Sequence, residues 1–313
     1  MRPTLRNRLG RVRKSTAALS ALALSAFVLT GCSSAPTFDG VACDRDSSAT
    51  LASSVQVSGD IGAPAASLEA QVRTGHMTYT DLIVGDGRAI SSDAQSAIMT
   101  RVLLNGDTGA QIHAAVNLWS PESADAELPG VDKALECATA GSRVAVALPA
   151  KDLPEGMAAQ VGIGDNGSLV AIYDIQYTLR PKAEGRDVFN DARGLPTVVR
   201  APDGRPGIII PDSAAPEKAV VQTLIEGDGE TVADGTPLFL HTAVRWADRS
   251  VAGTTWDSGP IFDTSKLPED ALKAISEATV GSQLLVVVPG EGGDATAYVI
   301  DVLGIVPAEL LQK

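Results

Sequence analysis

The chain has 313 residues, of which 44% are hydrophobic and 20% charged, enough apolar content to build folded cores and to exclude global disorder. With 25 Lys and Arg against 38 Asp and Glu, the net charge is −13. This charge argues against nucleic acid as a partner, because binding to phosphates needs a basic face. Three Cys and three His leave little for a metal centre with several ligands, so we expect no metal and no cofactor.

The N-terminus predicts export. The first 31 residues carry six basic residues and no acidic one, and a short run of Ala, Leu, Ser and Val fills residues 15–30. This is the pattern of a secretory signal peptide, and the run is short for a membrane span. It ends in Leu-Thr-Gly-Cys, which resembles the bacterial lipobox. We therefore predict a lipoprotein signal peptide over residues 1–31 and lipidation of Cys32, with a plain signal peptide or an uncleaved anchor as the alternative.

Cleavage of this signal changes the charge of the mature protein. It removes six of the 25 basic residues and no acidic residue, which takes the net charge from −13 to −19. Such an acidic body is repelled by anionic lipid head groups. We therefore expect the lipid on Cys32 to be the only attachment, and the protein to lie at the extracellular face of the cell membrane.

Two further cysteines, Cys43 and Cys137, remain in the mature chain. Disulfides persist outside the cytoplasm, so the two residues are candidates for a bridge between the N-terminal segment and the first folded domain. The alternative is a pair of unpaired, buried thiols.

An internal repeat organises the rest of the chain. The segment Thr80–Gly87 recurs at Gln222–Gly229, an offset of 142 residues, and Ala138–Pro149 recurs at Ala278–Pro289, an offset of 140. A nearly constant offset over two separate motifs predicts a tandem duplication.

The repeat sets the predicted domain boundaries. We expect a tether and N-terminal extension over residues 32–75, a first copy over residues 76–180, a charged linker over residues 181–193, and a second copy over residues 194–307. The second copy opens with a predicted hairpin over residues 196–211.

The sequence pattern of each copy predicts the same α+β unit, an antiparallel sheet wrapped on one short helix. A strand ends at a Gly-Asp-Gly turn and a second strand follows. Next come a short helix, a Gly-Ser turn, a β-branched strand ending in Pro, and a last strand. The predicted second and last strands cover Ala97–Leu104 and Leu169–Leu179 in the first copy, and Thr236–Trp246 and Ala295–Ile305 in the second.

The copies differ in the loop before the last strand. The first copy has a long loop over residues 150–168, and the second copy is 13 residues shorter between Pro289 and Ala295. A loop of that length in a small domain is usually functional or mobile.

The repeat resembles the FKBP-type peptidyl-prolyl isomerases, and the layout resembles tandem exported lipoproteins of actinobacteria. The resemblance is carried by the Gly-Asp-Gly turn and by three segments: Leu128–Leu135, Val280–Ser282 with the Val-rich strand after it, and Tyr298–Leu303. It implies two FKBP-like domains that act on X-Pro bonds of exported polypeptides. In this family an apolar pocket favours the twisted imide and so lowers a barrier of about 18–20 kcal/mol.

The resemblance also implies a pocket in the first copy. Its walls, floor and last-strand aromatic correspond to Ile112, His113, Leu128, Val131 and Tyr173. Val102 takes the position of the family's second-strand Tyr, and Leu153 or Met157 would lie at the rim in the long loop.

The second copy retains less of this pocket. The family's Tyr becomes Thr242, and its Phe-Asp pair becomes Ala252-Gly253. The remnant consists of Trp256, Ile261 and Ile300, with a short loop in place of the lid. We therefore expect this copy to be degenerate and catalytically inactive.

The sequence thus predicts a surface-anchored prolyl isomerase or foldase whose partners are proline-containing exported polypeptides. The alternative is a binding or chaperone module of the same fold that has lost catalysis. A closed pocket filled by its own side chains would favour the alternative.

Overall fold

The computed structural model describes residues 36–45, 47–120, 128–189 and 192–306. The predicted signal peptide over residues 1–31 and the predicted lipidation site, Cys32, lie outside these described residues. Within them, no helix is long and apolar enough to cross a membrane. Antiparallel strands dominate and the helices are few and short, in agreement with the predicted α+β class.

The first half of the described chain contains ten strands and three α-helices. The strands are β1 (Thr37–Phe38), β2 (Val41–Ala42), β3 (Val55–Ser58), β4 (Ala65–Leu68), β5 (Thr78–Ile83), β6 (Ala97–Asn105), β7 (Gln111–Trp119), β8 (Arg143–Pro149), β9 (Ser168–Thr178) and β10 (Gly185–Asp187). The helices are α1 (Ala49–Ser54), α2 (Val131–Leu135) and α3 (Met157–Gln160).

The second half of the described chain contains seven strands and one α-helix. The strands are β11 (Thr197–Arg200), β12 (Pro206–Ile209), β13 (Val220–Gly227), β14 (Thr236–Arg245), β15 (Val251–Thr254), β16 (Gln283–Pro289) and β17 (Ala295–Val306). The helix is α4 (Glu269–Glu277).

The two large sheets share one topology. The first has the order β5-β8-β9-β6-β7, and the second has the order β10-β13-β16-β17-β14-β15, with every neighbouring pair antiparallel. Without β10, the two orders correspond strand for strand. The sequence repeat is therefore a repeat of topology as well.

The predicted second and last strands agree with β6, β9, β14 and β17 to within one residue at each end. The strands β7 and β15 were not predicted, because that stretch was assigned to the connection between the turn and the helix. In β7, Ala114 and Ala115 break the alternation of apolar and polar residues on which strand prediction depends.

The predicted linker over residues 181–193 contains the edge strand β10. Ala183 is 7% exposed, and Gly185–Asp187 pairs with Gly227–Ile225 of β13. Charged side chains are common on edge strands, where they discourage unwanted pairing. Charge composition alone therefore cannot separate a linker from an edge strand.

Each sheet has a helix on one face and a small hairpin on the other. The helix-facing cores contain α2 in the first sheet and α4 in the second. The opposite faces are covered by β3–β4 and by β11–β12. The repeated unit thus includes a hairpin that precedes the first strand of the sheet.

This hairpin lies within the predicted N-terminal extension, much of which is folded. Leu51, Val55 and Val72 are buried in the core on the hairpin side of the first sheet. Cys43 and Cys137 form a disulfide with Cα atoms 6.1 Å apart, which confirms the predicted bridge.

Candidate functional site

Most of the predicted pocket residues of the first copy come together on the helix-facing side of its sheet. Leu128, Val131 and Tyr173 belong to one core cluster, and Ile112 packs against it. Gly130, with φ 82°, precedes α2 and allows the chain to turn sharply into the helix. Leu128, Val131 and Tyr173 are only 1%, 0% and 2% exposed, so they offer almost no surface to a ligand.

His113 lies on the same side but at the rim. The register pairs it with Leu103, which belongs to the pocket-side core, and the ladder shifts between Leu103 and Leu104. Directly opposed residues share a face of the sheet. His113 is exposed, so it borders the site without entering the core.

The assignment of Val102 to the family's Tyr position is wrong. Val102 packs in the core on the hairpin side of the sheet. Its neighbour Arg101 faces Tyr173 directly across β6 and β9, so Arg101 is the residue on the pocket side. Residues of β6 alternate regularly between the two faces, with Met99 and Leu103 in the helix-facing core and Val102 and Leu104 in the hairpin-side core.

The same correction applies to the second copy. His241, not Thr242, pairs with Ile300 of the helix-facing core, and its ring lies 6.0 Å from that of Phe239 between centroids. A register shift between Ala243 and Val244 reproduces the irregularity of the first copy. Two half-buried nitrogen-bearing side chains, Arg101 and His241, thus stand where the resemblance implied a tyrosine.

The long loop of the first copy closes over the site. Leu153 and Ile163 are buried in the pocket-side core, and Met157 packs against it, in agreement with the predicted rim position. The Asn105 side chain donates hydrogen bonds to the carbonyl oxygens of Val161 (3.3 Å) and Gly162 (2.9 Å). The loop is therefore a fixed cover whose own side chains fill the space beneath it.

The remnant site of the second copy is divided. Ile300 is fully buried in the helix-facing core and Ile261 packs against that core. Trp256 is instead linked to the hairpin side, because its carbonyl oxygen accepts a 3.2 Å hydrogen bond from Arg205. A Cβ placed on Gly253 would meet nothing within 4 Å, so the wall at this position is open.

His241 is a titratable group of this remnant whose surroundings shift its pKa. Its Nδ1 is buried and has no hydrogen-bond partner in the described part of the chain. Burial disfavours the charged imidazolium and lowers the pKa of His241 below its ordinary value of 6.5.

We expect this histidine to make stability depend on pH. Because the folded pKa is lowered, the unfolded state binds more protons below pH 6.5, and the free energy of unfolding falls as pH decreases towards the folded pKa. His241→Gln should flatten the dependence in urea unfolding between about pH 7.5 and 5. The matched variant at an exposed histidine, His76→Gln, should preserve it. An equal slope in the wild type and in His241→Gln would contradict the assignment.

The side chains around the candidate site are mainly apolar. In the ranges that the structure describes, no three His, Cys, Asp or Glu side chains are grouped to hold a metal ion. The pocket-side core is mainly aliphatic, with Trp119 and Tyr173 as its buried aromatic residues, and Arg101 lies on the same face. Such a set can desolvate or hold an apolar segment.

No protein-family model matches the chain, and no curated protein matches it. Among solved structures, the three FKBP domains of wheat FKBP73 match with 17% identity and a TM-score of 0.29, over 74% of this chain and 95% of that one. FkpA from Escherichia coli matches with 16% identity and a TM-score of 0.26, over 33% of this chain and 47% of that one. The N-terminal domain of FKBP42 from Arabidopsis thaliana matches with 13% identity and a TM-score of 0.30, over 38% and 98%. At these TM-scores the similarity establishes neither the fold nor an activity.

Proposed function

We propose that the chain is an exported protein of two tandem FKBP-like domains that binds segments of exported polypeptides without efficient prolyl isomerisation. The two-domain organisation is supported by the repeated topology, in which each sheet has its own helix and hairpin. Attachment to the extracellular face of the cell membrane through Cys32 is supported by the lipobox-like sequence. The Cys43–Cys137 disulfide is in keeping with export.

The filled first pocket carries this proposal. Isomerisation needs an apolar cavity that takes in the prolyl ring and strips water from the imide. Leu128, Val131 and Tyr173 are at most 2% exposed, and the guanidinium of Arg101 lies on the same face. A charged group beside the ring raises the cost of desolvation.

The second pocket supports the same conclusion for a different reason. Its wall is open at Gly253, and the loop that would cover it is reduced to the short turn Gly290–Asp294. A wall that is open at this position cannot exclude solvent from an imide.

Prolyl isomerisation by the first domain is the second candidate. Two observations favour it: the long loop is retained over the site, and Ile112 is half-buried at the edge of the apolar cluster. A small outward movement of the loop would expose an apolar surface next to Ile112 and Tyr173.

One pair of assays separates the two candidates. The mature protein is expected to suppress aggregation of an unfolded client and to leave unchanged the rate of a refolding step limited by X-Pro isomerisation. Acceleration of that step, abolished by Ile112→Asp, would establish the isomerase instead.

Leu118→Asp is the matched control for Ile112→Asp. Leu118 is on the same strand and 39% exposed, and it pairs with Ile98 on the other face of the sheet. A loss of activity common to both variants would reflect unfolding of the strand. If the folded protein neither suppresses aggregation nor accelerates refolding, both functions are excluded.

A further inference from the structure

The two sheets differ at one edge. In the second sheet the outer edge of β13 is covered by β10, with Arg186 opposite Glu226 and Asp187 opposite Ile225. The hydrogen bond from the Val188 N–H to the Leu224 carbonyl oxygen (2.9 Å) continues this contact. In the first sheet, the equivalent strand β5 is itself the outermost strand.

The first half of β5 is covered by the N-terminal segment. The Ser48 N–H donates to the Tyr79 carbonyl oxygen (2.8 Å), and the Asp81 N–H donates to the Ser47 side chain (3.3 Å). Arg45 forms an ion pair with Asp81. Cover from this segment therefore reaches as far as Asp81.

Residues 82–84, the last two residues of β5 and the residue after it, lie beyond this cover, and we call them the open edge. Ile83 and Val84 are 42% and 75% exposed. In the described ranges, the backbone of Val84 makes no hydrogen bond. An exposed strand edge with apolar side chains is a template for strand addition.

The pairing of β10 with β13 in the second copy indicates how a strand would bind to the open edge. With the offset of 142, the open edge corresponds to residues 224–226, which β10 covers. The strand β10 is itself only three residues long, so the open edge is long enough for an equivalent contact. Val84 replaces Glu226, and the residue opposite it should therefore be apolar where β10 carries Arg186.

The charge next to the open edge indicates which kind of residue the bound segment should carry beside its apolar residue. Arg180, six residues before Arg186, donates a 2.6 Å hydrogen bond to Asp228 in an ion pair. The equivalent of Asp228 in the first copy is Asp86, which is exposed. A basic residue six positions before the apolar one would reach Asp86 as Arg180 reaches Asp228.

We propose that the open edge binds an extended segment of an exported polypeptide by antiparallel strand addition. An apolar residue of the segment packs against Val84, and a basic residue six positions earlier pairs with Asp86. The acidic mature chain favours such basic segments over acidic ones. This inference rests on the proposed polypeptide-binding function, for which it names one surface.

The chain's own sequence provides the probe. A fluorescently labelled peptide with the sequence of residues 180–188 and Arg186→Val carries both features, and it is titrated onto the mature protein by anisotropy. We expect saturable binding that weakens with salt. Val84→Pro removes a backbone donor at the open edge, and Val84→Lys removes the apolar contact. Each should weaken binding by about tenfold or more.

Controls make the result specific. Val251→Lys changes a 60% exposed residue on the edge strand of the second sheet and should leave binding unchanged. A peptide with Arg180→Glu should bind less tightly to the wild type, and this difference should disappear in Asp86→Asn. Unchanged binding in both Val84 variants would overturn the proposal. Self-association that competes with the peptide and is lost in Val84→Lys would assign the open edge to a second copy of the chain and also overturn it.

The aggregation assay separates this proposal from the function on which it rests. If the wild type suppresses aggregation and both Val84 variants do so equally, the open edge is excluded while the polypeptide-binding function stands. If the wild type fails to suppress aggregation, the function is excluded. Peptide binding that depends on Val84 would then identify the open edge as an interaction surface of another kind.

Discussion

Replacing Arg143 by methionine is expected to lower the free energy of unfolding by about 3–5 kcal/mol, because it leaves Asp174 as a buried carboxylate without its counter-charge. The two residues are 1% and 0% exposed. The guanidinium donates to both carboxylate oxygens, from Nε at 2.6 Å and from Nη2 at 2.8 Å. Arg143 and Asp174 face each other across β8 and β9, at the centre of the first sheet.

The pair also holds the hairpin of the first copy in place. Arg143 donates to the carbonyl oxygens of Gly59 (3.2 Å) and Asp60 (3.1 Å), and Asp174 accepts from the N–H of Gly62 (2.8 Å). These three residues belong to the turn between β3 and β4. Loss of Arg143 should therefore loosen the hairpin as well as destabilise the sheet.

Urea unfolding measures the effect, with Arg73→Met as the matched control. Arg73 forms a 3.1 Å ion pair with Asp107, but its side chain is 58% exposed, so its loss should cost less than about 1 kcal/mol. The double variant Arg143→Met, Asp174→Leu removes the unpaired charge and should recover part of the lost stability. A cost for Arg143→Met no larger than that for Arg73→Met would show that the pair does not hold the sheet.

In the second copy, the buried aspartate of the last strand is paired with a neutral side chain in place of a buried guanidinium. Gln283 and Asp301 occupy the corresponding positions and share a 2.7 Å hydrogen bond, and Asp301 accepts from the N–H of Ala183 (2.8 Å). Burial raises the pKa of Asp301 above its ordinary range. In both copies the last-strand aspartate thus ties a preceding segment to the sheet, and only the partner differs.

The sequence predicted the repeated architecture because its signals are local. The Gly-Asp-Gly turns, the β-branched strands and the offset between copies depend on residues close to each other in the chain, and they located β6, β9, β14 and β17 accurately. The disulfide was predicted only from the expected export of the protein and from the two cysteines of the mature chain, and the structure confirms it.

The candidate site was harder to predict, because it depends on which face of the sheet each strand residue occupies and on pairing between strands that are distant in the sequence. Regular alternation along β6 and β14 places Arg101 and His241, rather than Val102 and Thr242, on the helix-facing side. The extra residues of the register irregularities lie on the neighbouring strands β7 and β15 and leave no clear mark in the sequence. The role of β10 was also hidden, because its charged residues are as typical of a linker as of an edge strand. The resemblance therefore placed the tyrosine position on the correct strand and on the wrong face.

Reduction of the Cys43–Cys137 disulfide is expected to destabilise the first sheet by about 4–5 kcal/mol, because the bridge closes a loop with a sequence separation of 94 residues. The bridge also keeps Arg45 beside the end of α2, where its guanidinium donates to the Ala134 carbonyl oxygen at 3.0 Å. Because α2 supplies Val131 to the pocket-side core, reduction should loosen the floor of the candidate site as well.

Hydrogen exchange in the presence and absence of reductant tests this expectation strand by strand. Protection should fall in β5, β8 and β9 and remain in β16 and β17, because all three cysteines of the chain precede the second sheet. Cys137→Ser in the absence of reductant should reproduce the effect. Equal loss of protection in both sheets would mean that they unfold as one cooperative unit, since the two are in contact through the buried Ile98, Leu179, Leu238 and Val306. Unchanged protection in β5 and β8 would show that Arg45 and the hairpin hold the first sheet without the bridge.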